Sequence, residues 1–345
     1  MIRRPVLQVI GPSGVDLVGR WGAALLGVSV TDKAGHESDE CVIRTAWKDP
    51  WRSIPPKGTR YVVSAGWEGE GLTVLGIYTV QRWTRKGSPE DGESLEVTCR
   101  AADFIDKMKT SGSRHYDEES GHGTAGKIFE QLAQDAGVSA VIDPEIAGIA
   151  IPYRLRWNQS AIDFASELAD DFGAVVKPQA GKLVVTKHGG GSSGSGLELP
   201  PILIAHHRDY AYDVSDEPRE DYSQVSAPWF DSEAGRALSE LFESASPSSI
   251  AGLVHPAPSK DEAQKQASAA SDAHARASAT GSFETKGDAA AVAGAPVICE
   301  GFGAGIDEIE WRAATVTHEI EPGQGWLMTV ETEVKDKPKE ASKTS

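Results

Sequence analysis

Residues 153–187, YRLRWNQSAIDFASELADDFGAVVKPQAGKLVVTK, read as strand, capped helix and hairpin. Asn158 or Ser160 can cap the helix start, and Asp163 stands three residues after Ser160, close to a capping box. Ile162, Ala165, Leu168, Ala169 and Phe172 then recur at helical spacing. Gly173 supplies the stop. Residues 174–177 and 182–187 are short strand-like runs, with Pro178, Gln179, Ala180 and Gly181 as the turn between them. The stretch lies near mid-chain, between two halves that read as β. It carries no recognisable active site, so its value is as a landmark.

Residues 1–105 alternate in the period-two manner of a sheet with one wet face. Candidate strands are 4–10, 37–47, 61–67, 72–83 and 95–100, with Cys41, Ile43 and Thr45 on one side of the second. In the last, Leu95, Val97 and Cys99 face one way and Glu96, Thr98 and Arg100 the other. GWEGEG (66–71) is a hairpin turn and 86–93 a polar loop. Short strands at near-regular spacing suggest a small barrel or sandwich.

Beyond residue 105 the pattern changes. HYDEESGHG (115–123) reads as a polar loop. Thr124 caps a helix whose Ile128, Phe129, Leu132 and Ala136 share a face, and Gly137 ends it. GGGSSGSG (189–196) has linker composition. The last part reads as β again, with candidate strands at 221–231, 281–286, 296–301, 309–320 and 326–334. EPGQG (321–325) turns the last pair. One helix, 260–280, is inserted; Ser259 and Glu262 form its capping box, and Ala263, Ala267, Ala270 and Ala277 are its inward residues. Such small residues bury little area, so this helix should lie across a sheet.

The expected architecture is mainly β with α+β: two small β-barrel-like domains flanking or enclosing a small α+β module. The expected boundaries are 1–105 for the first barrel, 106–190 for the module, 191–196 for a Gly/Ser linker, 197–335 for the second barrel with its inserted helix, and 336–345 for a disordered tail.

The chain of 345 residues is long enough for about two to three domains. No apolar run approaches about 18 residues, so no membrane insertion is expected. Gln8, Gly11 and Pro12 interrupt the apolar start, against a secretory signal. The three cysteines, Cys41, Cys99 and Cys299, are far apart and suit neither a disulfide scaffold nor a zinc site. A net charge of -17 disfavours stable nucleic-acid binding, because like charges repel phosphate.

Each chemical motif has a plainer reading. GHGTAGKI (121–128) nearly fits a phosphate loop but puts Ile128 where the magnesium-binding hydroxyl belongs. His115, Asp117, Glu118, Glu119 and His122 are rich in ligand atoms but lack helical zinc spacing, so they read as a solvated loop. His206 and His207 are adjacent and would point to opposite faces of a strand. The nine tryptophans are scattered, as core and interface anchors are. No catalytic, cofactor-binding or metal residue is assigned, and no cofactor is expected.

Four stretches carry a family resemblance: GWEGEGLTVLGIYTVQRW (66–83), LEVTCRAADF (95–104), the middle segments 116–137, 147–151 and 157–187, and 255–279 followed by 294–320. Each is weak alone; their order and spacing together are specific. Over residues 4–335 the chain resembles the phage late control protein D family, called tail protein D in P2-like phages, the baseplate hub of contractile tails. It departs at 235–258, where many members carry a longer, charged segment.

The resemblance implies a non-enzymatic virion protein of the tail baseplate, present in the host cytoplasm during assembly. It is similar to the hub of T4-like baseplates and to the N-terminal part of VgrG spikes of type VI secretion. It implies a homotrimer whose barrels build a pseudo-sixfold ring. That ring would join the tail tube and tape measure proteins to the tail spike protein, with DNA passing through. The rival readings are a tail-associated cell-wall hydrolase, motivated by residues 115–122 and the many aromatics, and a VgrG-like spike component. The short charged tail, with no repetitive needle, disfavours the latter.

Overall fold

The computed structural model describes residues 4–49, 53–90, 92–101, 105–179, 182–188, 198–216, 224–231, 235–243, 250–276 and 279–334. The Gly/Ser linker, the charged tail, Trp51 and Ala277 lie outside them. The first segment forms β1 (Pro5–Ile10), α1 (Val18–Trp21), β2 (Leu25–Lys33), β3 (Glu40–Ala46), β4 (Arg60–Trp67), β5 (Thr73–Ser88) and β6 (Gly92–Arg100). Across β3 and β6, Cys41 faces Cys99, Ile43 faces Val97 and Thr45 faces Leu95. The expected inward sets therefore meet one another and are buried with Val9, Val28 and Tyr78 in one core. Residues 86–93 are not a free loop. β5 and β6 stay paired to Ser88 and Gly92, and the exposed cross-strand pairs Arg85–Glu93 (2.9 Å) and Lys86–Glu96 (3.3 Å) keep this polar stretch on the ladder.

The middle segment forms α2 (Ile105–Met108), β7 (Ser111–Asp117), α3 (Ala125–Ala136), β8 (Ser139–Ile142), α4 (Pro144–Ala147), β9 (Tyr153–Ser160), α5 (Ala161–Asp170), β10 (Ala174–Gln179) and β11 (Lys182–Lys187). Ser160 is the α5 cap: its hydroxyl accepts from Asp163 N at 3.1 Å. Asn158 instead sits at φ 46, in a bulge of β9 opposite Ser113. Gly173 has φ 62 and turns the chain into β10. Ile128, Phe129, Leu132, Phe164, Leu168 and Leu183 are buried in one core. Part of the expected 115–123 loop is strand, because β7 pairs with β9 up to Asp117.

The last segment forms β12 (Ile202–Ala205), β13 (Tyr212–Asp216), β14 (Gln224–Asp231), β15 (Arg236–Glu243), β16 (Ile250–Gly252), α6 (Lys260–Arg276), β17 (Ala279–Lys286), β18 (Pro296–Glu300), α7 (Ala304–Asp307), β19 (Trp311–Glu321) and β20 (Gly325–Val334). The inserted helix is shorter than expected, since residues 279 and 280 already pair in β17. Ala263 and Ala267 are fully buried against the small sheet β15-β14-β16, so α6 does lie across a sheet. Only half of its capping box forms. Ser259 Oγ accepts from Glu262 N at 3.3 Å, but the Glu262 carboxylate is buried without a hydrogen-bond partner. Burial pushes its carboxyl above the usual range. No described helix is long and apolar enough to cross a membrane.

The fold is mainly β, but the strands do not close into two barrels. They form one open twelve-stranded sheet in the order β1-β4-β5-β6-β3-β2-β19-β20-β17-β13, with β18 on β19 and β12 on β18. The cause is the antiparallel pairing of β2 with β19, from Val28↔Ile320 to Lys33↔Thr315. Edges that could have closed each half are joined to each other. Beneath that seam Trp67 stacks on Trp326 at 5.3 Å, beside Ala65 and Ile320. Trp67 Nε1 donates to the carbonyl of Gly287 at 3.0 Å, and a side chain on Gly287 would collide with the Trp326 ring.

A buried ionic node ties the middle segment to this sheet. The Lys177 ammonium on β10 lies 2.6 Å from Asp32, 2.7 Å from Asp39 and 2.6 Å from the carbonyl of Lys33. Asp32 also accepts from Ala293 N at 2.8 Å, so all three parts of the chain meet there. Nearby, His36 Nδ1 accepts from Val176 N at 3.0 Å and His36 Nε2 lies 2.9 Å from Asp170. Burial, and then the neighbouring Asp32, push the Asp39 carboxyl up to about 7. Burial pulls the Lys177 ammonium down, but the two carboxylates more than offset it.

Two outcomes follow for stability. Lys177→Met leaves the buried Asp39 and the half-buried Asp32 without their cation and should cost about 3–5 kcal/mol at pH 8. A carboxyl with a raised folded pKa favours the native state below its unfolded value and loses that contribution as pH rises through about 7. The deficit of Lys177→Met in urea melts should therefore be larger at pH 8 than at pH 5; a pH-independent deficit contradicts the node. Trp67→Ala should cost about 3–5 kcal/mol by emptying the seam, read in the same melts; a loss below about 1 kcal/mol contradicts its role.

Candidate assembly surface

One face of the sheet covers the cores, and the other is mostly polar across eight strands, from β5 to β13, with Val42 and Leu327 among its residues and Thr79 and Thr98 buried at its β5-β6 end. Strand register aligns its residues in rows. One row runs Glu284, Thr329, Thr317, Thr31, Glu40, Arg100, Thr79. The next runs Asp213, Ser282, Glu331, Thr315, Lys33. On the other side of the first row lie Lys286, Leu327, Glu319, Ser29, Val42, Thr98 and Arg82. Thr317 and Thr31 hydroxyls are 3.4 Å apart across the seam, and Arg100 lies 3.7 Å from Glu40. The β13-β17-β20 end is the more acidic, with Asp213, Glu284, Glu331 and Glu333. A shallow depression there is lined by Asp213, Ser215, Ser282, Glu331 and Glu333.

Such a face has no nucleophile–base pair and no cation cage. Among the described residues no group of three or more His, Cys, Asp or Glu side chains is placed to hold a metal. It offers charge and hydroxyls over a broad surface, which suits contact with solvent or with something that slides past.

Several of the chemical candidates read from sequence are engaged in local structure. In 121–128, Ala125 N donates to Ile149 O, Lys127 N to the Thr124 hydroxyl and Ile128 N to Thr124 O. Gly126 packs on Ala147, where a side chain would come within 2.9 Å, and Ile128 is buried. The helix start is thus sealed against phosphate. Asp117 accepts from Ser120 N at 2.7 Å, and those Ser120 hydrogen bonds hold its carboxyl below the usual range. His122 lies 3.2 Å from Gln131 and packs edge-on against Tyr116. His115 points out on β7, 4.0 Å from Asp117. His206 packs on Tyr212 and Phe302 while His207 turns toward Tyr210 and Asp209, so the two diverge.

Among the described residues the tryptophans form no shared exposed platform. Trp311 and Trp326 are buried, whereas Trp157 is 74% exposed on β9. Cys41, Cys99 and Cys299 are buried free thiols, each pushed up by burial. The sequence reading missed β13, β15 and β16 and, at the seam, β2. Its alternation of Val28 and Val30 with Ser29 and Thr31 was a legible signal for a strand with one wet face.

No family model matches the chain. It is 27% identical over 360 residues to the probable baseplate hub protein of Escherichia phage P2, covering 93% of this chain and 91% of that one. It is 28% identical over 215 residues to the probable baseplate hub protein of Escherichia phage 186, covering 62% and 53%. Among solved structures, a tail protein from Neisseria meningitidis superposes with a TM-score of 0.67 at 14% identity, over 96% of each chain. The 43 kDa tail protein of prophage MuSo2 from Shewanella oneidensis gives 0.65 at 13%, over 96% and 98%. An Escherichia coli component of the type VI secretion system gives 0.55 at 10%, over 92% and 76%. At these identities the structures speak for the fold alone. The sequence relatives add the kinship: the chain is a homologue of the baseplate hub proteins of phages P2 and 186.

Proposed function

We propose that this chain is the structural hub of a contractile-tail baseplate. Three copies form a ring, with two sheet halves per copy giving pseudo-sixfold symmetry. The ring joins the tail tube and tape measure proteins to the central spike. The observation that carries this reading is the mostly polar face that spans both halves. Turned inward, such a face lines a channel with hydroxyls and excess carboxylates, and repels passing DNA rather than trapping it. The chain divides at about residues 105 and 190–196 into a first sheet half, an α+β module and a second half. Lys177 holds the module as a brace outside the sheet. The protein belongs in the virion tail, after assembly in the host cytoplasm.

A cell-wall hydrolase is not favoured, because Asp117 and His122 are engaged in a turn and a ring contact. The likeness to type VI secretion components is one of fold.

The test is the mass of the chain co-expressed with its spike, by light scattering. Three copies per complex are expected. A chain that stays monomeric and binds neither spike nor tube protein overturns the reading.

A further inference from the structure

The ionic node at Lys177 holds more than an ion pair needs. Its side chains come from β10, from β2 and from the connection between β2 and β3. Lys177, Asp32 and Asp39 are 14%, 23% and 8% exposed, so water has little access. Lys177 Nζ stands 2.6 Å from Asp32 Oδ1, and the carbonyl of Lys33, also at 2.6 Å, orients it. The Asp32 carboxyl carbon is one bond behind that oxygen, close to the roughly 3–3.5 Å separation of a near-attack geometry.

The surrounding groups suit attack on that carbon. Asp32 Oδ2 accepts from Ala293 N at 2.8 Å, so a fixed backbone donor faces the oxygen that would take up negative charge. Asp39 Oδ1 lies 2.7 Å from the same Nζ and accepts from Lys33 N at 3.2 Å. It is a second carboxyl, placed to take a proton from the amine and hand it to a leaving oxygen. Burial and the neighbouring Asp32 raise Asp39 to about 7, so the two carboxyls share a proton near neutral pH.

We propose that Lys177 and Asp32 condense after folding into an intramolecular isopeptide bond, with Asp39 carrying the protons. The shared proton makes Asp32 a neutral acid, and Asp39 as carboxylate takes a proton from the ammonium. The freed amine forms a C–N bond to Asp32 Cγ while Ala293 N–H holds the negative oxygen. Asp39 gives its proton to the Asp32 hydroxyl, the C–O bond breaks and water leaves. The surplus proton on nitrogen returns to Asp39. Nothing is oxidised or reduced, and no co-reactant is needed. The carboxylates favour the ammonium, so the attacking amine is scarce and the reaction slow; fixed contact offsets this. The bond joins residues 145 apart in sequence and ties the α+β module covalently to the seam strand. It is independent of how many copies form the ring. In freshly folded chain the groups are still ionic, so the pH dependence of the node is read there.

The test is the intact mass of the denatured full chain, purified alone and with its spike, before and after long incubation at neutral pH. The incubated chain should be lighter by one water. A tryptic digest should then join peptide 21–33, which holds Asp32, to peptide 157–182, which holds Lys177, because Pro178 blocks cleavage after that lysine. Lys177→Arg should keep its full mass. Asp32→Asn should lose ammonia in place of water and give the same joined peptides. Asp39→Asn should slow the reaction by about a hundredfold or more. Water lost without this branch, or a branch from peptide 34–44, which holds Asp39, overturns the assignment. A chain of full mass in both preparations overturns the bond itself, and the urea melts then show whether the ionic node stands without it.

Discussion

The pairing of β2 with β19 is the constraint on which the rest depends. It joins residues 28–33 to residues 315–320, nearly the whole chain apart. Non-local pairing of that kind bears the entropy of closing a very long loop, so it needs support from side chains. The Trp67–Trp326 stack beneath the seam supplies it, with Ala65 and Ile320 alongside. Because the two halves are fused there, one polar face runs across both. For the same reason the sheet stays open, ending at β1, β13 and β12, instead of closing twice.

The ionic node couples the middle segment to this seam. Asp32 is itself a β2 residue, opposite Val316 of β19. Its carboxylate holds Lys177 on one side and the backbone of Ala293 on the other. A buried ion cluster is a weak source of net stability, but breaking it is costly. It thus fixes where the α+β module sits more than it adds to folding. The module's own core, built on Ile128, Phe129, Leu168 and Leu183, is closed by its own helices and strands.

Local order was legible in the sequence, and closure was not. Thr124, Gly137 and Ser160 mark helix ends by chemistry that acts over a few residues, and each holds its expected place. The alternation in 41–45 and 95–99 also reads correctly, since one face must be dry. The barrels fail because period-two alternation says which side of a strand is wet and not which strand lies beside it. The surface was hidden for a related reason. Thr31, Thr317, Thr329 and Glu284 are unremarkable apart and become a row only through register. Glu262 shows the opposite error: a capping-box spacing was present, but the side chain turned inward instead of back to the helix start.

The most direct test of the central claim is cryo-electron microscopy of the chain assembled with its spike and tube neighbours. Three copies are expected around a channel, with Thr31, Thr317 and Glu331 facing the lumen and the α+β modules outside. A ring of another order, or a polar face turned outward to solvent, would contradict it.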